Sequence, residues 1–422
     1  MKLGNKFILT AFIAVAAVIS PCSAWAQTGV NSPYSRYGLG LIADQSVGMA
    51  RSMGGVGVGM RRTNTINPLN PASYSAVDTL TFIADMGFTM QNGNFQESGV
   101  KVNARNARVD YLTMQYRILP KVGMTVGLLP YSSVGYAFSN TSTVRRDEDG
   151  EIQSTGTYTG TGGIRQFLGG LGYRPAKWLS VGVNASYMFG ELGYSSVTSF
   201  SESTVSTATV NNEASLSALK LDFGIQTSLK LDGAVLAIGA TYTPATDFSG
   251  EVTVSDLTTD TEAEPQSLSD GAFSMPDMMA VGMSYSARKL TLAADVSYEK
   301  WSDANAWGLK YGSDRLKLNT GFSYCPDNTS KSFLQRNTYH GGLYMKQPYF
   351  NVGDSKGPME YGISAGFTLP VTIAYNSMSY LHFSAQYVRV QPASSGMIAE
   401  NYLRLSVGVT FMERWFAKWM VE

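Results

Sequence analysis

The sequence predicts an all-β, transmembrane antiparallel β-barrel of about fourteen strands with an N-terminal hatch in its lumen. Three observations carry that prediction. Apolar and polar residues alternate with period two along many segments. Only 15% of residues are charged while 12% are aromatic, with 43 Gly and 24 Tyr, against about a quarter charged in a soluble globular domain. The links between the alternating segments are mostly tight on one side and longer and more polar on the other.

Residues 1–26 read as a secretory signal peptide. Lys2 and Lys6 make a basic start, residues 7–19 an apolar run, and Ala24-Trp25-Ala26 a small-x-small cleavage site. Cys22 suggests a lipoprotein signal, but Pro21 before it and the better cleavage site after it argue against lipidation. The mature chain then starts at Gln27 and keeps one cysteine, Cys325, so no internal disulfide and no CxxC or Cys-His metal spacing exists. Past the signal no apolar run approaches the ~20 residues of a membrane helix. An exported chain of this kind is either soluble outside the cytoplasm or a barrel.

Residues 27–78 are expected to form the hatch. The stretch from Gly48 to Leu80 has neither a helical nor a strand period. Its glycines, Gly54 and Gly55 among them, let the backbone lie close against a wall, and Arg51, Arg61 and Arg62 need polar partners. Composition alone also fits a flexible linker. Met53, Val56, Val58, Met60, Ile66 and Leu69 favour the hatch, because a linker has no use for them.

The strands follow over residues 79–412, at roughly 79–91, 106–118, 121–143, 152–174, 177–199, 209–231, 234–254, 268–287, 289–302, 307–324, 336–348, 358–369, 379–390 and 401–412. One face of the sixth carries Leu219, Leu221, Phe223, Ile225 and Leu229, the other Lys220, Asp222, Gln226 and Lys230. Periodicity fits both a soluble sandwich and a lipid-facing wall. The connections favour the wall: Leu119-Pro120, Pro175-Ala176, Asp232-Gly233 and Arg288 are tight, whereas residues 92–106, 145–151 and 255–267 are longer, the last with Asp256, Asp260, Glu262 and Glu264. Two inner links, 325–335 and 370–379, are longer than this rule. Tyr116, Tyr173, Trp178, Tyr187, Tyr242, Tyr285, Tyr298, Trp301 and Trp307 fall near strand ends, as interfacial girdles require.

Ala50-Arg51-Ser52-Met53-Gly54-Gly55-Val56-Gly57-Val58, then Asn70-Pro71-Ala72, and Gly127-Leu128-Leu129-Pro130-Tyr131 in the third strand together resemble the FadL family of outer-membrane barrels. The resemblance spans the mature chain and extends to the strand number. Trp415-Phe416-Ala417-Lys418, in a C-terminal tail of residues 413–422, is similar to the ending of many such barrels, although Glu422 replaces the usual terminal aromatic. It implies a Gram-negative outer-membrane protein, set in outer-membrane lipid, that takes up a hydrophobic small-molecule ligand of the long-chain fatty-acid type. In the family the ligand leaves sideways at the kinked third strand, gated by the hatch. Pro130 has no N–H to give a ladder, so with Gly127, Tyr131 and Gly135 it marks either a lateral opening or a closed bulge. Arg51, Gly54, Gly55, Asn70, Pro71 and Ala72 are the matching hatch residues. Similar barrels also serve as accessory subunits of outer-membrane assembly or secretion machines, and other outer-membrane or periplasmic subunits are then partners. Met397, Ile398, Phe416 and Trp419 hint at such contacts.

Enzyme chemistry has little to stand on. His340 and His382 lie on different strands and read as ordinary lumen or girdle residues, and Gly193-Tyr194-Ser195-Ser196-Val197 lacks the closing glycine of a nucleophile elbow. Gly160-Thr161-Gly162-Gly163 lacks the Gly-Lys-Ser/Thr ending of a phosphate loop. Asp147-Glu148-Asp149-Gly150-Glu151 lacks calcium-loop spacing and reads as a hairpin tip. A formal net charge of zero excludes a strong pull toward nucleic acid. No metal or cofactor is expected. Hatch arginines are expected to pair with barrel acids such as Asp85, Asp110 and Asp222, or else with a ligand carboxylate.

Overall fold

The computed structural model describes residues 30–414 apart from residues 80, 98, 148–149, 203–205, 257–264, 270, 311, 375–376 and 395. The expected signal peptide, most of the tail with Phe416 and Trp419, and Glu148, Asp149, Asp260, Glu262 and Glu264 fall outside the described residues.

The wall is one closed antiparallel sheet of fourteen strands. After a two-residue strand β1 (Leu41–Ile42) come β2 (Thr81–Glu97), β3 (Val100–Leu119), β4 (Val122–Pro130), β5 (Ser132–Asp147), β6 (Gly150–Tyr173), β7 (Leu179–Phe200) and β8 (Ala208–Leu231). They continue as β9 (Ala234–Thr243), β10 (Ser249–Asp256), β11 (Met278–Ala287), β12 (Leu290–Glu299) and β13 (Arg315–Tyr324). The last four are β14 (Thr338–Lys346), β15 (Met359–Ala374), β16 (Ser377–Gln391) and β17 (Ala399–Arg414). β17 pairs back onto β2 from Thr81↔Arg414 to Gln96↔Ala399, which closes the barrel and leaves no free edge there. Two wall strands are each broken in the middle, β4/β5 at Tyr131 and β9/β10 after Pro244.

The direction of the alternation separates barrel from sandwich. Leu219, Phe223 and Ile225 are 59%, 46% and 47% exposed, while Lys220 and Gln226 between them are 8% and 1% exposed. A soluble sandwich would bury the leucine and wet the lysine; only a lipid solvent makes the observed arrangement favourable. Among the described residues no helix is long and apolar enough to cross a membrane. The protein is a β-barrel of the Gram-negative outer membrane, and the end that carries the tight turns is assigned as the periplasmic one by the rule for such barrels.

Two sequence expectations need correction. The long inner link expected at 370–379 is a hairpin, because β15 and β16 stay paired from Met359↔Gln391 to Ala374↔Ser377. Pro370 sits within that ladder opposite Tyr380 and does not end the strand. Trp301 and Trp307 are not girdle residues. Trp301 is fully buried and donates Nε1–H to Glu299 Oε2 at 2.7 Å; Trp307 packs edge-on against Phe273 at 5.0 Å between ring centroids. Both belong to an aromatic cluster inside the outer mouth with Tyr349 and Phe350. Tyr173, Trp178, Tyr187, Tyr242, Tyr285 and Tyr298 do face outward and are exposed.

Residues 30–78 run among the inward side chains. The chain turns in short 3-10 stretches, Pro33–Arg36, Gly48–Met53 and Pro71–Ala76. Backbone groups that no ladder satisfies are met by wall side chains: Gly54 N–H donates to Ser364 Oγ at 2.9 Å, and Gln386 Nε2 donates to Arg51 O at 2.7 Å. Gln226 Nε2 donates to Val58 O at 3.0 Å, and Asn184 Nδ2 to Pro68 O at 3.2 Å. Met53 and Val56 are completely buried. Gly54 has φ +71°, and a Cβ there would stand 2.7 Å from Thr320 O, so only glycine passes this close to the wall.

Candidate functional site

The wall changes partners at Tyr131. Below it β4 is doubly paired, with β3 from Leu119↔Val122 to Leu112↔Leu128 and with β6 from Val122↔Tyr173 to Pro130↔Arg165. Above it, among the described wall strands, β5 keeps only β6, from Val134↔Gly162 outward. Among the described residues the outer part of β3, from Val100 to Tyr111, pairs with β2 alone. The ladder between the second and third wall strands therefore stops at Leu128, while pairing on the β6 side continues through Tyr131 N–H to Ile164 O at 2.8 Å. Pro130 supplies the physical reason, since it cannot donate to β3. Farther along β6, opposite the start of β5, Gly162 and Gly163 adopt φ +113° and +150°, which re-aims the strand. Gly127 is the last tight contact, with room for a Cβ only 2.7 Å from Thr113 Cγ2.

The N-terminal segment occupies the edge that β3 vacates. Leu41 and Ile42 pair with Ser133 and Ser132. Ala43 N–H donates to Tyr131 O at 2.8 Å, and Gln45 Nε2 donates to Pro130 O at 2.8 Å. Gly135 N–H donates to Ser35 Oγ at 3.0 Å. Every third-strand residue singled out from the sequence thus lies at the break, and Pro130, Tyr131 and Gly135 bond directly to the segment inside.

The hatch residues are held from several strands. Arg51 Nη1 meets Asp110 Oδ2 at 2.5 Å, its Nε donates to Ser46 O at 3.0 Å, and its guanidinium lies 5.3 Å from the Tyr111 ring centre. Asn70 caps its 3-10 turn by accepting Ala72 N–H at 3.1 Å and donates to Val58 O at 2.8 Å. Pro71 and Ala72 press on β7 where a Cβ on Gly182 would come within 2.3 Å of Pro71 C. Gly55 stands 3.5 Å from Asp44 Oδ1, measured from a Cβ position.

Sequence reasoning missed Asp295. Its carboxylate accepts the N–H groups of Gly57, Val58 and Gly59 at 2.5, 2.9 and 3.4 Å. The available signal was an acid alone on the inward face between Ala294 and Val296. The expected pairing of hatch arginines with barrel acids holds for Arg51 and fails for Arg61 and Arg62. Asp85 instead accepts Tyr111 Oη–H at 3.2 Å, and Asp222 accepts Thr243 Oγ1–H at 2.6 Å. His340 and His382 both face the bore and share Thr368 Oγ1, at 2.8 Å each.

An inner pocket of about 100 Å³ is lined on one side by charged groups, among them Asp44, Arg108, Glu360 and Arg404, and on the other by Tyr34, Leu41, Tyr349 and Phe350. A separate groove of about 280 Å³ lies on the outer wall beside the unpaired edge of β3, against Met90, Ala107, Leu403 and Leu405.

Solved structures share this architecture. The Pseudomonas putida toluene transporter TodX superposes with a TM-score of 0.59 at 15% identity, covering 89% of this chain and 100% of that one. A Pseudomonas aeruginosa FadL homologue gives 0.58 at 11% identity, over 88% and 99% of the two chains. The Ralstonia pickettii toluene transporter TbuX gives 0.55 at 13%, over 87% and 98%. At such identities the likeness establishes the fold, which is the FadL type. No curated protein matches the chain. A family model described as BamG matches residues 7–421, nearly the full length, and the chain therefore belongs to the BamG family, built on a FadL-type barrel.

Proposed function

We propose that this barrel admits hydrophobic small molecules, of the long-chain fatty-acid or hydrocarbon kind, and releases them sideways between β3 and β5, with residues 27–78 as the hatch. The observation that carries the reading is the ladder ending at Leu112↔Leu128 with the hatch strand β1 seated on the vacated edge. Unpaired backbone in a lipid-facing wall is unfavourable unless protein or a passage meets it, and here the hatch supplies the partners. Withdrawal of β1 opens the wall; its return closes it. The apolar groove beside β3 receives the ligand on the lipid side.

The test is a staple. In a Cys325→Ser background, Leu41→Cys and Ser133→Cys sit in register. Uptake of labelled fatty acid or toluene into vesicles containing the barrel is expected to fall several-fold on oxidation and to recover on reduction. Equal uptake in both states rules out gating by β1.

A second reading, an accessory subunit of an outer-membrane assembly or secretion complex, is favoured by one observation: the inner pocket beside the segment holds only about 100 Å³, where ligand sites are several-fold larger. Uptake no greater than in empty vesicles, with stable co-purification of other outer-membrane subunits, selects this reading.

A further inference from the structure

Arg62 lies on the inner side of the periplasmic mouth and is half-buried. Its Nη2 donates to Thr291 Oγ1 at 3.0 Å, and Thr291 in turn donates to Ser286 Oγ at 3.2 Å. A guanidinium has five N–H donors, and among the described residues no carboxylate lies within ion-pair distance of this one. Arg51, eleven positions earlier in the same segment, has Asp110 at 2.5 Å. Burial pushes the Arg62 guanidinium below its ordinary value, with Cys325 and Tyr380 near enough to act in the opposite direction. The part of this cation that is shielded from water has no counter-charge to offset the cost of shielding it.

A second group points to the same place. His340 is buried, close enough to Arg62 to feel its charge, and its Nδ1 has no hydrogen-bond partner. Its Nε2 is engaged with Thr368, so the ring's free capacity is all at Nδ1. The surrounding end of the barrel carries Lys121, Arg174, Lys177, Arg288, Lys289 and Lys331 against Asp78, Asp232, Asp327 and Glu413. That field concentrates anions at the mouth.

We propose that the periplasmic mouth of the bore holds a small oxyanion, a phosphate or carboxylate group, on Arg62 with Thr291 and His340 beside it. The planar guanidinium fork matches both groups. The group arrives either as a free anion or as the head of an amphiphile whose chain lies along the apolar residues of the segment. The site stands whether or not ligand crosses the wall.

The experiment uses the full mature barrel in a detergent with an uncharged head. Unfolding temperature is followed against inorganic phosphate, dodecanoate and dodecyl phosphate, each compared with chloride at equal ionic strength. A site specific to Arg62 gives a saturable rise that Arg62→Gln abolishes or weakens at least tenfold, that Arg62→Lys retains in part, and that Arg61→Gln leaves in place. A response to phosphate assigns a free anion, and a response to the amphiphiles alone assigns a headgroup. No anion-specific rise in the wild type overturns the proposal, as does a rise of equal size in Arg62→Gln. Should Arg62→Gln not fold, His340→Gln replaces it, with weakened binding expected and unchanged binding overturning the site.

Discussion

The Asp295 carboxylate accepts the Gly57 amide at 2.5 Å across 238 residues of chain. Two further amides, from Val58 and Gly59, point at the same group, so one wall side chain fixes the glycine-rich turn of the N-terminal segment. Hydrogen bonds to a buried charged group contribute about 2 kcal/mol each, and removal of the acceptor strands three donors. Asp295→Ala is expected to leave the barrel closed while amides 57–59 lose hydrogen-exchange protection by at least tenfold. Protection unchanged at those amides would show that the turn is held by its packing alone.

Arg51 and Asp110 form a buried pair, joined by Arg108 Nε at 2.9 Å from the other carboxylate oxygen and by Thr89. Removing Asp110 leaves the Arg51 and Arg108 guanidiniums without their carboxylate, at a cost of about 3–5 kcal/mol, whereas removing Arg51 leaves Asp110 paired with Arg108. Asp110→Asn is expected to destabilise strongly, more than Arg51→Met, and Asp110→Asn with Arg51→Met to cost less than the sum of the two because one of the two stranded cations is then gone. A double-mutant cycle in denaturant checks this; additive losses contradict coupling.

The wall was legible because its alternation is local: Leu219, Phe223 and Ile225 declare their face whatever lies opposite. Pro130 was legible for the same reason, since a missing N–H is a property of one residue. The filling of the bore was not. Asp295 finds Gly57, and Gln386 finds Arg51 O, only after the barrel has closed, and nothing near either residue in sequence encodes the meeting. Trp301 and Trp307 misled because an aromatic at a strand end looks alike whether it faces headgroups or the mouth; Glu299 as the Trp301 partner decides it. Arg61 and Arg62 resembled Arg51 in sequence, yet of the three only Arg51 reaches an acid among the described residues.

Gly40 sets how the segment meets the third strand. It has φ +89°, and a Cβ would lie 2.6 Å from Ser133 O and 2.7 Å from Val134 Cγ2. Gly40→Val therefore cannot keep β1 on Ser132 and Ser133. The expected result is faster amide exchange at Leu41, Ile42 and Ala43 with the β6–β7 ladder unaffected. If the closed wall depends on this contact, uptake in vesicles rises; intact protection at Ala43 would mean that the segment tolerates the side chain.

Asp44 gives the barrel an acid-sensitive contact. Burial alone would push its carboxyl up, but the Lys346 and Arg51 charges and two bonds from Ser46, N–H at 3.0 Å and Oγ at 2.9 Å, outweigh that and hold it below the ordinary 3.8. A carboxylate depressed in the folded state stabilises it above the unfolded value, and that contribution disappears as pH falls through the folded one. The gap in unfolding temperature between wild type and Asp44→Asn is thus expected to be full at pH 7, to shrink below about pH 4, and to be largest at low salt only in part, because the group is shielded from solvent. Melting curves from pH 7 to pH 2.5 measure it. A gap that stays constant over that range would mean that Asp44 contributes through shape and hydrogen bonding and that its charge is immaterial to how the segment is held.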